Sequence, residues 1–112
     1  MIKKTGSHST LEEAIALGPA PDGNLAIPVF RHGTMGAELY MPEDIDRQTP
    51  HSRDELYFVA RGRAEFFNGK ENVAIKEGSF IFVPAGTEHR FLNFSKGFAV
   101  WVIFYGPEGG EK

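Results

Sequence analysis

The sequence predicts an all-β protein, an antiparallel sandwich or closed barrel preceded by one short helix. Three observations carry this: eight short segments rich in Phe, Tyr, Val and Ile, glycine or proline turns between them, and no helical period after residue 24. Glycine (13) and proline (7) exceed their average share of 112 residues yet stay short of a low-complexity composition, so they mark tight turns. One core is expected, in a single unit over 1–112, with 1–22 as helical lead-in and loop and 23–106 as the barrel.

Taken in order, residues 1–9 are polar and loose. Thr10 followed by Glu13 forms a capping-box pattern, Leu11, Ala14, Ile15 and Leu17 recur at helical spacing, and Gly18-Pro19 stops the helix. Residues 19–24 are a loop of Pro, Gly, Asp and Asn. Strands are expected over 25–31, 35–41, 55–61, 63–67, 72–76, 80–83, 89–94 and 99–105, separated by turn residues such as Gly33, Pro42, Gly62, Gly78 and Gly97. Asn68-Gly69 is the sharpest turn signal, since both residues tolerate the positive φ of a type I′ hairpin. No internal repeat or linker interrupts this series.

Composition removes several function classes. The net charge is −3 with no run of like charges, which argues against a nucleic acid or an anionic membrane as partner. Without cysteine there is no disulfide scaffold, thiolate zinc site or cysteine nucleophile, so any metal must be held by His, Asp, Glu, Asn or Gln. The longest apolar run, 98–105, falls far short of the ~18–20 residues a membrane helix needs. Lys3 and Lys4 precede no apolar stretch of secretory type, so a cytoplasmic location is expected.

Two of the four histidines, His8 in the polar tail and His32 at a turn, read as solvated side chains. His51 precedes Glu55 by four residues, an even offset that keeps both side chains on one face of a strand, and an imidazole with a carboxylate suits a divalent metal. In the stretch 78–93, a strand runs into the turn Pro84-Ala85-Gly86, after which His89 stands at the mouth of the next strand with Phe91 and Asn93 on its face by parity.

These two segments together resemble the cupin family. Its second motif, Gly-x5-Pro-x-Gly-x2-His-x3-Asn, is matched by Gly78, Pro84, Gly86, His89 and Asn93, and its first motif is matched at His51, Glu55 and Gly62. Thr49 stands where the family has its first histidine, and Glu43 where it has a leading glycine. The resemblance implies a small antiparallel β-barrel of the double-stranded β-helix or jelly-roll type. It also implies a divalent metal ion (Fe, Mn, Ni or Zn) held by His51, Glu55 and His89, a set similar to the two-His, one-carboxylate arrangement. Gln48 can supply a weak oxygen ligand if Pro50 shifts the strand phase; otherwise water completes the shell.

By strand parity Tyr57 lies beside Glu55 and Phe91 beside His89, so both line a substrate pocket, with Asn93 orienting a ligand or a metal-bound side chain and Trp101 closing the far side. Phe58, Phe80, Phe82 and Phe104 read as core aromatics. The expected function is a metal-dependent enzyme acting on a small polar molecule, of dioxygenase or isomerase type. The alternatives are a non-catalytic module that binds or senses a small molecule, and a metal-free structural barrel. The apolar lead-in 25–30 and open strand edges favour a homodimer.

Overall fold

Thr10 starts the helix with the reciprocal bonds its sequence encodes. Its hydroxyl accepts from the Glu13 amide at 3.1 Å, and the Glu13 carboxylate accepts from the Thr10 amide at 2.8 Å. The structure, a computed structural model, describes residues 6–112; the expectations for residues 1–5 lie outside the described residues. Helix α1 (Leu11–Ala16) buries Ala14 and packs Leu11 and Ile15 against Leu39, Ala99 and Trp101. No helix among the described residues is long and apolar enough to cross a membrane.

Eight strands follow: β1 (Ile27–His32), β2 (Met35–Tyr40), β3 (Asp54–Arg61), β4 (Arg63–Phe67), β5 (Asn72–Lys76), β6 (Phe80–Val83), β7 (Arg90–Leu92) and β8 (Ala99–Tyr105). They form two antiparallel sheets, a five-stranded one in the order β1-β2-β8-β3-β6 and a three-stranded one in the order β5-β4-β7. The all-β fold is as expected, but the closed barrel is not. No ladder joins the two sheets among the described residues, and the molecule is a jelly-roll-like sandwich. The chain changes sheet at Gly62, between β3 and β4. There φ is +87° and a Cβ would collide with the Ser95 hydroxyl, so the corner needs glycine.

Strand alternation then sorts the side chains. Glu55, Tyr57 and Val59 on β3, Val100 and Val102 on β8, Ile81 and Val83 on β6, and Phe66 and Phe91 from the smaller sheet are buried between the sheets. Phe58, Phe80 and Phe82 have the opposite parity. They are not core aromatics but stand on the outer face of the large sheet, 38%, 58% and 48% exposed. The Asn68-Gly69 hairpin also differs from the expected type I′ turn. Only Gly69 takes positive φ (+94°), while the Asn68 side chain accepts from the amides of Lys70 and Glu71, which shifts the central pair to Gly69-Lys70.

Replacing Gly62 with alanine forces a left-handed backbone and a clash, so a loss of at least ~1–2 kcal/mol is expected in denaturant unfolding. Gly36→Ala, where an added Cβ meets nothing within 4 Å, is expected to stay within about 1 kcal/mol of the unsubstituted chain.

Candidate metal centre

Three separate segments deliver the site. Glu55 is the second residue of β3 and lies wholly buried on its inward face. His89 stands just before β7 in the opposite sheet, 2% exposed. His51 lies near the end of the long connection between β2 and β3, where its carbonyl accepts from the Gly86 amide at 2.7 Å. The Pro84-Ala85-Gly86 turn therefore positions both histidines, one by backbone pairing and one by chain continuity. Asp54 fixes the same turn by accepting from the Ala85 amide at 2.9 Å.

The donor atoms converge. Glu55 Oε1 lies 3.0 Å from His89 Nε2 and 3.7 Å from His51 Nε2, and Gln48 Oε1 lies 3.2 Å from His51 Nε2. Ligands at about 2.1 Å from one ion are separated by roughly 3.0 Å at octahedral and 3.4 Å at tetrahedral angles, so these spacings suit a shared cation. Two further features fit the same group. Glu55 Oε2 is buried and has no hydrogen-bonding partner among the described residues, an acceptor left over for a cation. His89 Nδ1 sits 2.9 Å from the Thr87 carbonyl, which makes it the protonated nitrogen and turns Nε2 toward the centre.

Asp46, which the sequence reading passed over, holds the arrangement from behind. Its carboxylate accepts from the Tyr40 hydroxyl (2.6 Å), the Gln48 amide (3.1 Å), Gln48 Nε2 (2.9 Å) and the Phe91 amide (2.8 Å). By binding the Gln48 nitrogen, it sends the Gln48 oxygen into the site. Thr49 is exposed. The even spacing of Asp46 and Gln48 was the available signal, hidden because no regular strand runs through residues 46–48.

The cupin-domain family matches residues 37–105 of the chain. The chain belongs to the cupin family. It is similar to an uncharacterised protein of Streptomyces coelicolor, 38% identical over 100 residues that cover 88% of this chain and 94% of that protein. A Rhizobium leguminosarum protein of unknown function is similar in structure, with a TM-score of 0.73 at 19% identity over 92% of this chain and 99% of that one. A cupin-2 domain protein from Shewanella frigidimarina superposes with a TM-score of 0.68 at 15% identity, covering 88% and 94%. At those identities the two structures speak to the fold.

In this cupin a cavity of about 230 Å³ opens beside the site, lined by Glu38, Tyr40, Gln48, His51, Val102, Phe104 and the lead-in residues 24–26. Two residues expected in the pocket lie elsewhere. Trp101 has the wrong parity on β8: it packs on the outer face with α1 and Leu39, while Phe104 lies on the site's side with its ring 5.1 Å from that of His51. Asn93 follows the end of β7, where φ turns to +49°. Its exposed side chain donates to Glu65 at 2.8 Å on the surface and does not line the cavity beside His51. Phe91 packs edge-on against Tyr57 beneath the site rather than facing the cavity. Tyr57 places its hydroxyl among the donor atoms. Sequence reasoning had overlooked Glu38, whose parity with Tyr40 was the usable signal.

Burial pushes the His51 imidazole below the usual histidine value, and the pull of Glu55 only partly offsets this. For His89 burial acts in the same direction but is overcome by the Glu55 hydrogen bond, the Thr87 carbonyl and the charges of Glu55 and Asp46, so its pKa is raised. The stabilisation from protonated His89 is therefore present below about 6.5 and is lost as pH rises through the higher folded value. Imidazole NMR titration of the metal-free chain is expected to show His89 titrating above His51. Titration in the opposite order would contradict this electrostatic picture.

Proposed function

We propose that this cupin is a metal-dependent enzyme acting on a small polar molecule, of dioxygenase or isomerase type. The observation that carries the reading is the convergence of His51, Glu55 and His89, with Gln48 Oε1 3.2 Å from His51 Nε2, beside a cavity of about 230 Å³, together with a buried Glu55 oxygen that has no hydrogen-bonding partner among the described residues. These four residues would hold a divalent ion, Fe, Mn, Ni or Zn. When bound, such an ion supplies a Lewis acid for a substrate oxygen or, as iron(II), a centre for oxygen chemistry.

The chain's own groups define the rest of the pocket. Phe104 and Val102 give it an apolar wall beside His51. Glu38 faces the same cavity, and burial raises its carboxyl above the usual range, helped by Glu55 and opposed by Arg31. It is suited to hold a hydroxyl or amine of the bound molecule, and to keep or pass a proton there.

The test begins with metal. The protein loaded with each of the four ions is expected to retain close to one per chain by elemental analysis, and His51→Ala and His89→Ala are each expected to raise the metal dissociation constant tenfold or more, about 1.4 kcal/mol of binding per decade, and so to lower retention after dialysis. Retention unchanged in both variants, or none in the unsubstituted chain, would overturn the reading. Oxygen uptake or isomer formation with panels of catechols, thiols, keto acids and sugars then separates an enzyme from a binding or sensing module, which would bind such a compound without converting it.

The same reading includes a homodimer, supported by the exposed Phe58, Phe80 and Phe82 on the outer face of β3 and the edge strand β6. Light scattering at micromolar concentration is expected to give twice the chain mass, and Phe82→Asp to shift it toward the single-chain value. A single-chain mass for the unsubstituted protein would contradict the dimer.

A further inference from the structure

Tyr57 occupies the inward position on β3 next after Glu55 and is fully buried. Its ring is packed edge-on against Phe91 at 5.0 Å and Phe66 at 6.1 Å between centroids, so the hydroxyl has one fixed direction. That direction is toward the donor cluster, on its Gln48, His89 and Glu55 side. The hydroxyl oxygen lies 2.7 Å from Gln48 Oε1, 3.0 Å from His89 Nε2 and 3.3 Å from Glu55 Oε1.

These three spacings bracket the roughly 3.0 Å edge that separates adjacent ligands of an octahedral ion. A tyrosine that served only as a wall would present ring to the cavity and could be phenylalanine, as Phe66 on β4 and Phe91 on β7 of the opposite sheet are. We propose that the Tyr57 hydroxyl oxygen is a further ligand of the metal held by His51, Glu55, His89 and Gln48. The proposal rests on the metal-site reading above and goes beyond it, because neither the family motif nor the spacing of its histidines assigns a ligand at this position.

Two consequences follow from the chemistry. Five donors, two nitrogens and three oxygens, leave one octahedral position for a small molecule. The phenolic proton leaves to solvent when the oxygen coordinates, as metal binding to protein ligands in general releases protons.

The experiment uses the full chain loaded with iron and oxidised to iron(III). A visible phenolate-to-iron charge-transfer band is expected, with tyrosine ring modes enhanced in the resonance Raman spectrum excited within it. Tyr57→Phe, which keeps the ring and its packing, should abolish the band while iron content stays within about twofold, and Tyr105→Phe should leave it in place. Where Tyr57→Phe holds no iron, the Raman modes of a Tyr40→Phe, Tyr105→Phe chain, in which Tyr57 is the one remaining tyrosine, decide the matter. Stoichiometric iron(III) without the band, or a band that survives Tyr57→Phe, overturns this proposal alone. A chain that binds no iron, manganese, nickel or zinc overturns the metal reading and this proposal with it.

Discussion

Glu55 carries a carboxyl group with no exposure to solvent, and His89, arriving from the opposite sheet, meets it at 3.0 Å. A buried carboxylate is tolerated only where it is paired and hydrogen-bonded, and here one oxygen is satisfied while the other has no partner among the described residues. Among the described residues the two sheets share no hydrogen-bonded ladder, so this contact, the aromatic layer beneath it and the aliphatic side chains of β3, β6 and β8 hold them face to face. Tyr57, Phe66, Phe91 and Phe98 form that layer by edge-on and tilted packing, with centroid distances of 5.0 to 6.1 Å. A rigid apolar floor under a polar cluster keeps the donors close in a way that flexible side chains on a loop would not.

The polar cluster is layered. Asp46 accepts four hydrogen bonds and thereby fixes Gln48, Tyr40 and the start of β7 at the Phe91 amide, so a single carboxylate ties the β2–β3 connection to the smaller sheet. Thr87 and the Pro84–Gly86 turn orient His89 and His51 through backbone groups. Side chains that would touch a ligand are thus held by groups that would not, the arrangement by which metal sites secure ligand geometry.

Much of this was legible in the sequence, and the parts that were not share a physical cause. The capping box at Thr10 and Glu13, the turn at Gly62 and the four-residue step from His51 to Glu55 are local signals, each set by a few consecutive residues, while the arrival of His89 beside them was implied by the family resemblance. Parity was the weak link. Trp101, Phe58, Phe80 and Phe82 are apolar residues in strands, and composition alone assigns them inward; only the register of β8 and β6 against β3 reveals that they face out. Asn93 failed for a related reason, because alternation ends where β7 ends and a left-handed residue redirects the side chain. Asp46 and Glu38 act across 45 and more residues of sequence, Asp46 on the Phe91 amide and Glu38 beside Val102, distances over which no local pattern carries information. Barrel closure likewise depends on which strands pair, a long-range property.

The central claim is that the inward groups of both sheets share one metal ion. X-ray diffraction from crystals of metal-loaded protein, recorded on both sides of the absorption edge of the added ion, tests it most directly. The account predicts one anomalous peak per chain at roughly 2.0–2.3 Å from Glu55, His51 Nε2 and His89 Nε2, the range for bonds from nitrogen and oxygen donors to such ions. An anomalous peak confined to the protein surface, with Glu55 Oε2 bonded to a water or a protein donor instead, would contradict it.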